Sequence, residues 1–449
     1  MKGIINQQEK DIAAFCVKAA LKHGADQCRI SLSKSIMDSF ALLNGELDKV
    51  THCADRSVYM YIYADSKYGT FSTNRLEEAD LDRFIANAVD TVKMLAKDEC
   101  RSLPELSRTA SDAKEGDELA LFDEHYAGVS AQDRLDAAMG ASRYALMKAD
   151  EKGYCVISEE CEYSDGIDDN YLIDSQGFEG RHIETSYSFC SEITISDEEG
   201  NKFSGYWWEA SPKFADLNIS SCSQTALDHA LRQRDPKPSR SGVRKMVVDS
   251  SVATRLIAPM ITALDSASIQ QKNSFLDDCI GKKIFSEGLT VMDLARTPGE
   301  TGSRMYDTEG VATQDRAIIE NGVVKMNFTS TYMANKMGIE PTCEGVSRPV
   351  LMPFGEAGGV KEIISKVRNG IYVTGFNGGN CNPVTGDFSY GIEGFAFKDG
   401  KITHPVREML ITGNMIELWN NLLYAGTDAR NCTRWRVPSL AFQGVSFSA

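Results

Sequence analysis

The sequence predicts an α+β protein in two domains. The N-terminal domain is expected to combine antiparallel strands with helices. The C-terminal domain is expected to be mostly β, as a barrel-like sheet or a sandwich, with a few helices. Three observations lead there. At 449 residues the chain is too long for one ordinary core, at a prior of roughly 150 residues per domain. The first half runs helix, strands, two helices, strands, without the strand–helix alternation of a parallel sheet. The second half is Gly-rich and strand-like, with Asn321-Gly322 and Asp399-Gly400 where hairpin turns belong. The expected division is residues 1–220, a linker at 221–244, and residues 245–449.

Taken in order, "QQEKDIAAFCVKAALK" (7–22) places Ile12, Phe15, Cys16, Ala19 and Ala20 on one face, an amphipathic helix stopped near Gly24. "QCRISLSKS" and "SFALLNGELDKV" alternate as strands do, and Asn44-Gly45 is a short hairpin turn. "RSVYMYIYAD" and "KYGTFSTN" add two strands. Helices follow over 77–97 and 131–149. From 153 to 210, turn residues recurring every eight to twelve positions predict antiparallel hairpins. A short helix, "SQTALDHALRQR", leads into the Pro- and Ser-containing stretch "RQRDPKPSRSGVRK", read as a linker. The second half opens with the strand "RKMVVDS" and the helix "SVATRLIAPMITALDSASI" (251–269). The segments "GLTVMD", "AIIENGVVKMNF", "NGIYVTGF" and "GIEGFAFKDGKITHPVREMLITG" read as strands, with one more helix near 414–424. No internal repeat or low-complexity tract is evident.

Composition narrows the function. A net charge of −16 repels phosphate backbones, and the one basic cluster is the linker, so direct nucleic-acid binding is not expected. No apolar run is long enough for a membrane span, and the first residues lack a signal-peptide core, so a cytoplasmic protein is expected. The 12 cysteines are scattered without a CxxC, as buried small hydrophobes are.

Catalytic parts are sparse. No two of the six histidines stand three, four or five apart, so no helix presents a His pair to a metal. His182 and Glu184 share a strand face, where a surface cross-strand pair is the plainer reading. There is no GxSxG, Walker loop or GxGxxG. The richest stretch is "NPVTGDFSYGIEGF" (382–395), which offers Asn382, Pro383, Thr385, Gly386, Asp387, Phe388, Ser389 and Glu393 on a Gly-flexible backbone. Asn382-Pro383 starts a turn, so a strand–turn–strand unit is expected. Asp307, Glu309, Asp387 and Glu393 are the acidic residues placed on Gly-rich turns. From residues alone, no catalytic residue can be named.

Four stretches resemble the TldD/PmbA family, metalloprotease-related proteins long labelled "modulator of DNA gyrase". They are "QQKNSFLDDCIGKKIF", "YDTEGVATQDRAIIENGVV", "NPVTGDFSYGIEGFAFKDGKITHPVREMLITGN" and "RVPSLAFQGVSFS". In the TldD branch, the first helix of the C-terminal domain carries His-Glu-x-x-x-His, and a Cys near the C-terminus completes a zinc site. The corresponding helix here has neither His nor Glu, and Cys432 stands alone near the place of that cysteine. The resemblance therefore implies the PmbA branch, also called TldE. It implies a subunit without its own metal, with zinc only in a TldD-type partner, in a cytoplasmic peptidase acting on unfolded peptides. A dimer through the C-terminal domain is expected, with a TldD-type subunit or a second copy. Alternatives are a homodimeric peptide-binding or gyrase-modulating protein without catalysis and, more remotely, an independent hydrolase using Asp387. Because both branches share the Pro-Val-Thr-Gly-Asp-Phe turn, its implied role is to shape a cavity wall or a subunit interface, with Asp387 accepting backbone N–H groups.

Overall fold

The computed structural model describes residues 2–449 and is α+β. Two compact units are present. Among the described residues, one comprises residues 2–228, 296–313 and 330–344, and the other 229–295, 314–329 and 345–449. The observed division thus assigns two segments of the second half to the first unit. Residues 221–244, read as a linker, carry the helix Cys222–Arg232 and the first residues of a strand.

The first unit is built on one antiparallel sheet, β1 (Gln27–Leu43), β2 (Glu46–Ala64), β3 (Lys67–Thr73), β4 (Cys155–Asp174), β5 (Glu179–Ser196) and β6 (Lys202–Ser211), in the order β3-β2-β1-β4-β5-β6. Asn44 and Gly45 both take positive φ, 55° and 77°, as a two-residue turn joining β1 to β2 requires. The strands are longer than the punctuation of the sequence suggests. "QCRISLSKS" and "SFALL" form one continuous strand, and Ser164-Asp165-Gly166 lies in the middle of β4 rather than in a turn. The reason at Gly166 is close approach: a Cβ there would stand 2.9 Å from the Ile36 carbonyl oxygen.

The helices Gln7–Lys22 and Glu78–Met94 cover one end of this sheet, packing Cys16, Ala20, Ile85 and Val89 on Ile30, Leu32, Met60 and Ile62. The expected helix over 131–149 is two, Ala131–Ala141 and Tyr144–Ala149. The buried Glu159 carboxylate causes the break by accepting the Arg143 and Tyr144 backbone N–H groups at 3.0 and 3.1 Å. Segment 296–313 joins this unit through Met305, which packs with Leu119, Leu172 and Phe178, and through the bond from Ala110 N–H to the Gly310 carbonyl.

The second unit opens with β7 (Gly242–Val248) and includes a small antiparallel sheet of β8 (Val291–Asp293), β9 (Arg316–Glu320), β10 (Val323–Val324) and β11 (Pro349–Leu351). Then come β12 (Gly370–Cys381), β13 (Asp387–Lys398), β14 (Lys401–Asn414), β15 (Leu422–Ala425) and β16 (Leu440–Ser448). Strands β14-β13-β12-β7-β16 pair in that order, and β16 returns to β14 through Ile411↔Phe447. That closes a five-stranded barrel, which removes open edges, and β15 extends it alongside β16. Ile371, Ile392, Ile411 and Phe447 are buried in it, whereas Val247 packs with Ile363, Ile364 and Val367. The expected helix over 251–269 is also two, Thr254–Ala263 and Ser266–Gln270. The chain breaks at Leu264-Asp265 because Phe328 bonds both sides, donating to the Leu264 carbonyl and accepting from Ser266 N–H, each at 2.9 Å. Among the described residues no helix is long and apolar enough to cross a membrane.

Candidate functional site

The helix Thr254–Ala263 has two faces with different tasks. Leu256, Ile257, Met260 and Ile261 are buried. Trp419, fully buried, donates its indole N–H to the Leu256 carbonyl at 3.2 Å and meets Phe442 edge-on at 5.3 Å between centroids. This contact locks the helix in place. Arg255, Ala258, Pro259 and Thr262 recur at i, i+3, i+4 and i+7, so they share the other face, which lines a cleft of about 470 Å³. Pro259 has no N–H, so the Arg255 carbonyl lacks its usual helical donor.

The facing wall comes from β12 and β13. Gly378 and Gly379 take φ of 72° and 81°, and the β12–β13 register shifts between Asn377 and Asn380. This is a bulge that only glycine fits: a Cβ at Gly379 would lie 2.0 Å from the Ser389 carbonyl oxygen. The Gly379 carbonyl accepts from Arg255 Nη2 at 2.9 Å, and the guanidinium lies over the Tyr390 ring at 4.9 Å. Tyr390 stacks on Phe388 at 5.4 Å and meets Phe376 edge-on at 5.8 Å. Burial pushes the Tyr390 hydroxyl up to about 12, with Cys381 adding and Arg255 opposing. Asn380, Cys381 and Pro383 extend this wall, and Ser268, Asn273 and Phe275 complete the lining.

The cleft's chemistry follows from that lining. Among the described residues, Arg255 is its one charged side chain. Burial first, then the Asp387 charge, raises the Cys381 thiol, which keeps it protonated near neutral pH and poor as a nucleophile. Zinc sites use three or four His, Cys or carboxylate ligands. One protonated thiol beside a guanidinium does not fit that ion, so no step is routed through a metal in this cleft. Among the described residues no group of three or more His, Cys, Asp and Glu is arranged to hold a metal.

The residues singled out in 382–395 form the expected strand–turn–strand unit. Asn382 starts the turn: its side chain accepts from Val384 N–H at 2.9 Å, and its backbone bonds to Asp387 and Gly386. Asp387 is exposed and differs from expectation in its partners. It accepts from the Thr385 hydroxyl at 2.8 Å and the Asn414 amide at 3.0 Å, both side chains rather than the expected backbone N–H groups. The Asn414 bond, then the Thr385 bond, hold its carboxyl below the usual carboxylate range. Ser389 and Glu393 are exposed on β13, Glu393 accepting from the Asn377 amide at 3.2 Å. Of this set, Pro383 lines the cleft, Phe388 backs Tyr390, and Gly386 sits where a Cβ would come 3.1 Å from Phe275.

The remaining candidates are tied up elsewhere. In the first unit, His182 Nε2 stands 3.4 Å from Glu184 Oε2. Asp307 accepts the Glu309, Val311 and Glu344 N–H groups. Glu309 accepts from the Thr331 N–H and hydroxyl, and burial raises its carboxyl. Cys432 is buried in the second unit. Sequence reading missed Arg255, Asn273 and Tyr390; the one signal was a proline inside a helix facing a Gly-Gly bulge.

Comparison with known proteins accords with this architecture. Residues 241–449 match the PmbA/TldA metallopeptidase C-terminal domain, and residues 124–234 the central domain. The chain is 25% identical to the metalloprotease PmbA of Escherichia coli O157:H7 over 95% of its length and 94% of that protein's. It is 24% identical to the metalloprotease PmbA homolog of Haemophilus influenzae over 99% and 98%. A Bacteroides thetaiotaomicron crystal structure, described as a modulator of DNA gyrase, superposes with a TM-score of 0.94 at 40% identity, covering 99% of this chain and 100% of that one. TldE from Thermococcus kodakarensis shares the fold, at TM-score 0.83 and 18% identity, over 98% and 100% of the two chains. On its two matched domains and its likeness along the whole length of these proteins, the chain belongs to the PmbA/TldD family.

Proposed function

We propose that this chain is the PmbA/TldE-like subunit of a TldD/PmbA-type peptidase that processes unfolded peptides in the cytoplasm. It contributes a peptide-holding cleft, and a TldD-type partner contributes the zinc. The observation that carries the reading is the cleft-facing side of the helix Thr254–Ala263. In the metal-bearing branch this helix supplies His and Glu; here it presents Arg255, Ala258, Pro259 and Thr262 to a cleft of peptide-compatible size. The protein pairs as a dimer, with a TldD-type subunit or a second copy of itself. The acidic charge argues against a direct role on DNA.

The test is a cleavage assay on an unfolded protein such as reduced casein. The chain alone is expected to be inactive and free of stoichiometric zinc by elemental analysis. Mixed with a TldD-type subunit, it is expected to give cleavage that a chelator abolishes. Chelator-resistant cleavage by the chain alone would overturn the assignment.

A further inference from the structure

We infer that the cleft beside the helix Thr254–Ala263 binds the free C-terminal carboxylate of a peptide whose last side chain is apolar, with Arg255 as the anchor. The inference rests on the peptide-processing reading above and adds the end of the peptide that is recognised.

Among the described residues, Arg255 is the only charged side chain lining the cleft, and no carboxylate lines it. A guanidinium has five N–H donors, and the Gly379 carbonyl takes one. The remaining donors keep the fork that suits a carboxylate. The Gly379 bond and the Tyr390 ring fix the head of an otherwise flexible side chain, so little ordering remains to be done on binding. Arg255 lies in the first turn of its helix, where the backbone dipole disfavours a cation and favours an anion. A cation held there adds to the dipole's positive field, and an incoming carboxylate is attracted by both.

The rest of the lining selects a peptide over a small inorganic anion. Ala258, Pro259, Phe275 and Pro383 are apolar and can take a side chain. Asn273 and Asn380 carry primary amides that both donate and accept, as a peptide backbone requires. The volume, about 470 Å³, lies within the usual range for small-ligand sites. The anchor is a bidentate carboxylate contact, so amidation of the peptide terminus removes both the charge and one acceptor.

The experiment is a fluorescence titration of the isolated chain with dansyl-Ala-Ala-Leu as the free acid and as the C-terminal amide. The free acid is expected to bind about tenfold more tightly, and the gap to narrow with added salt. Arg255→Gln should abolish the gap by weakening the acid alone, and Arg255→Lys should keep part of it. Ala258→Phe, which fills the cleft from the helix side, should weaken acid and amide together. Equal affinity of acid and amide for the wild-type chain, or an Arg255→Gln variant that keeps the preference, overturns the inference. So does displacement of the tripeptide by an equal concentration of acetate, which would mark a site for any small carboxylate. Because this titration uses the chain alone, its failure is separable from that of the casein assay. Partnered cleavage without acid preference sinks only the anchor, whereas acid preference without partnered cleavage sinks only the peptidase assignment.

Discussion

The turn at 382–387 and the helix Thr254–Ala263 stand close to the same cleft, yet they use their polar groups in opposite ways. The turn is dense in polar residues and spends them on itself. Asn382 bonds the turn's own backbone, and Asp387 bonds Thr385 and the neighbouring Asn414. The helix is largely apolar, and the charge on its outer face, Arg255, gives one donor to the Gly379 carbonyl and keeps the rest of its guanidinium at the cleft. Short polar side chains on a bent backbone find local partners first. A long side chain on a rigid element cannot reach its own backbone as readily, so its head group stays available to a ligand.

That contrast can be broken most severely through the helix's support. Trp419→Ala empties a buried site on which the helix rests and should cost about 3–5 kcal/mol, measured by urea unfolding. If the second unit unfolds separately from the first, that transition alone should shift. A smaller effect is expected at the facing wall. Gly379→Ala must hold positive φ against the Ser389 carbonyl and should cost roughly 1–3 kcal/mol. It should also weaken free-acid peptide binding, because Arg255 loses its fixed acceptor. A melting curve equal to wild type would mean that the bulge is not built as described.

The smallest effect belongs to the turn. Asp387 is exposed, so Asp387→Asn should lower the melting temperature by less than Gly379→Ala does. The pH dependence has a definite sign. The folded carboxyl is held below its usual value of 3.8, so its stabilisation is fully present above that pH and is lost as pH falls through the lower folded value. Melting curves of wild type and Asp387→Asn should therefore differ near neutral pH and converge in strong acid. A folded Asp387→Asn variant that pairs normally but supports no casein cleavage would give the turn a catalytic role after all.

Much of the fold was legible because its signals are local. Asn44-Gly45, Asn321-Gly322 and Asp399-Gly400 all adopt the paired positive φ angles that their residue types allow cheaply. The helix Gln7–Lys22 carries a capping box at Asn6 and Glu9 and runs over the residues its periodicity indicates. The helix breaks at 142–143 and 264–265 were not legible, because Glu159 and Phe328 impose them from a distance in sequence. The barrel-like sheet was one of the two expected forms, but the β14–β16 pairing that closes it carries no local signal. The site divided likewise: the polar turn announced itself, whereas Arg255 gained meaning only when the bulge and Tyr390 were placed against it.

The closure of the barrel also bears on how the second unit acquires its shape. Strand β7 pairs in parallel with β12 and antiparallel with β16, and its β16 partners lie on the order of two hundred residues further along the chain. Neither side of β7 can be satisfied by a neighbour in sequence, so loop-closure entropy must be overcome before either ladder forms. Until then "KMVV" (245–248) presents apolar side chains and unpaired backbone groups to whatever else is near. The second unit should therefore be the slower of the two to fold and the more dependent on dilution or chaperones. The residues 58–64 of β2, by contrast, find Lys67–Thr73 within one short turn. The architecture that gives the mature barrel no free edge leaves its first strand exposed for longest while the chain is finding its fold.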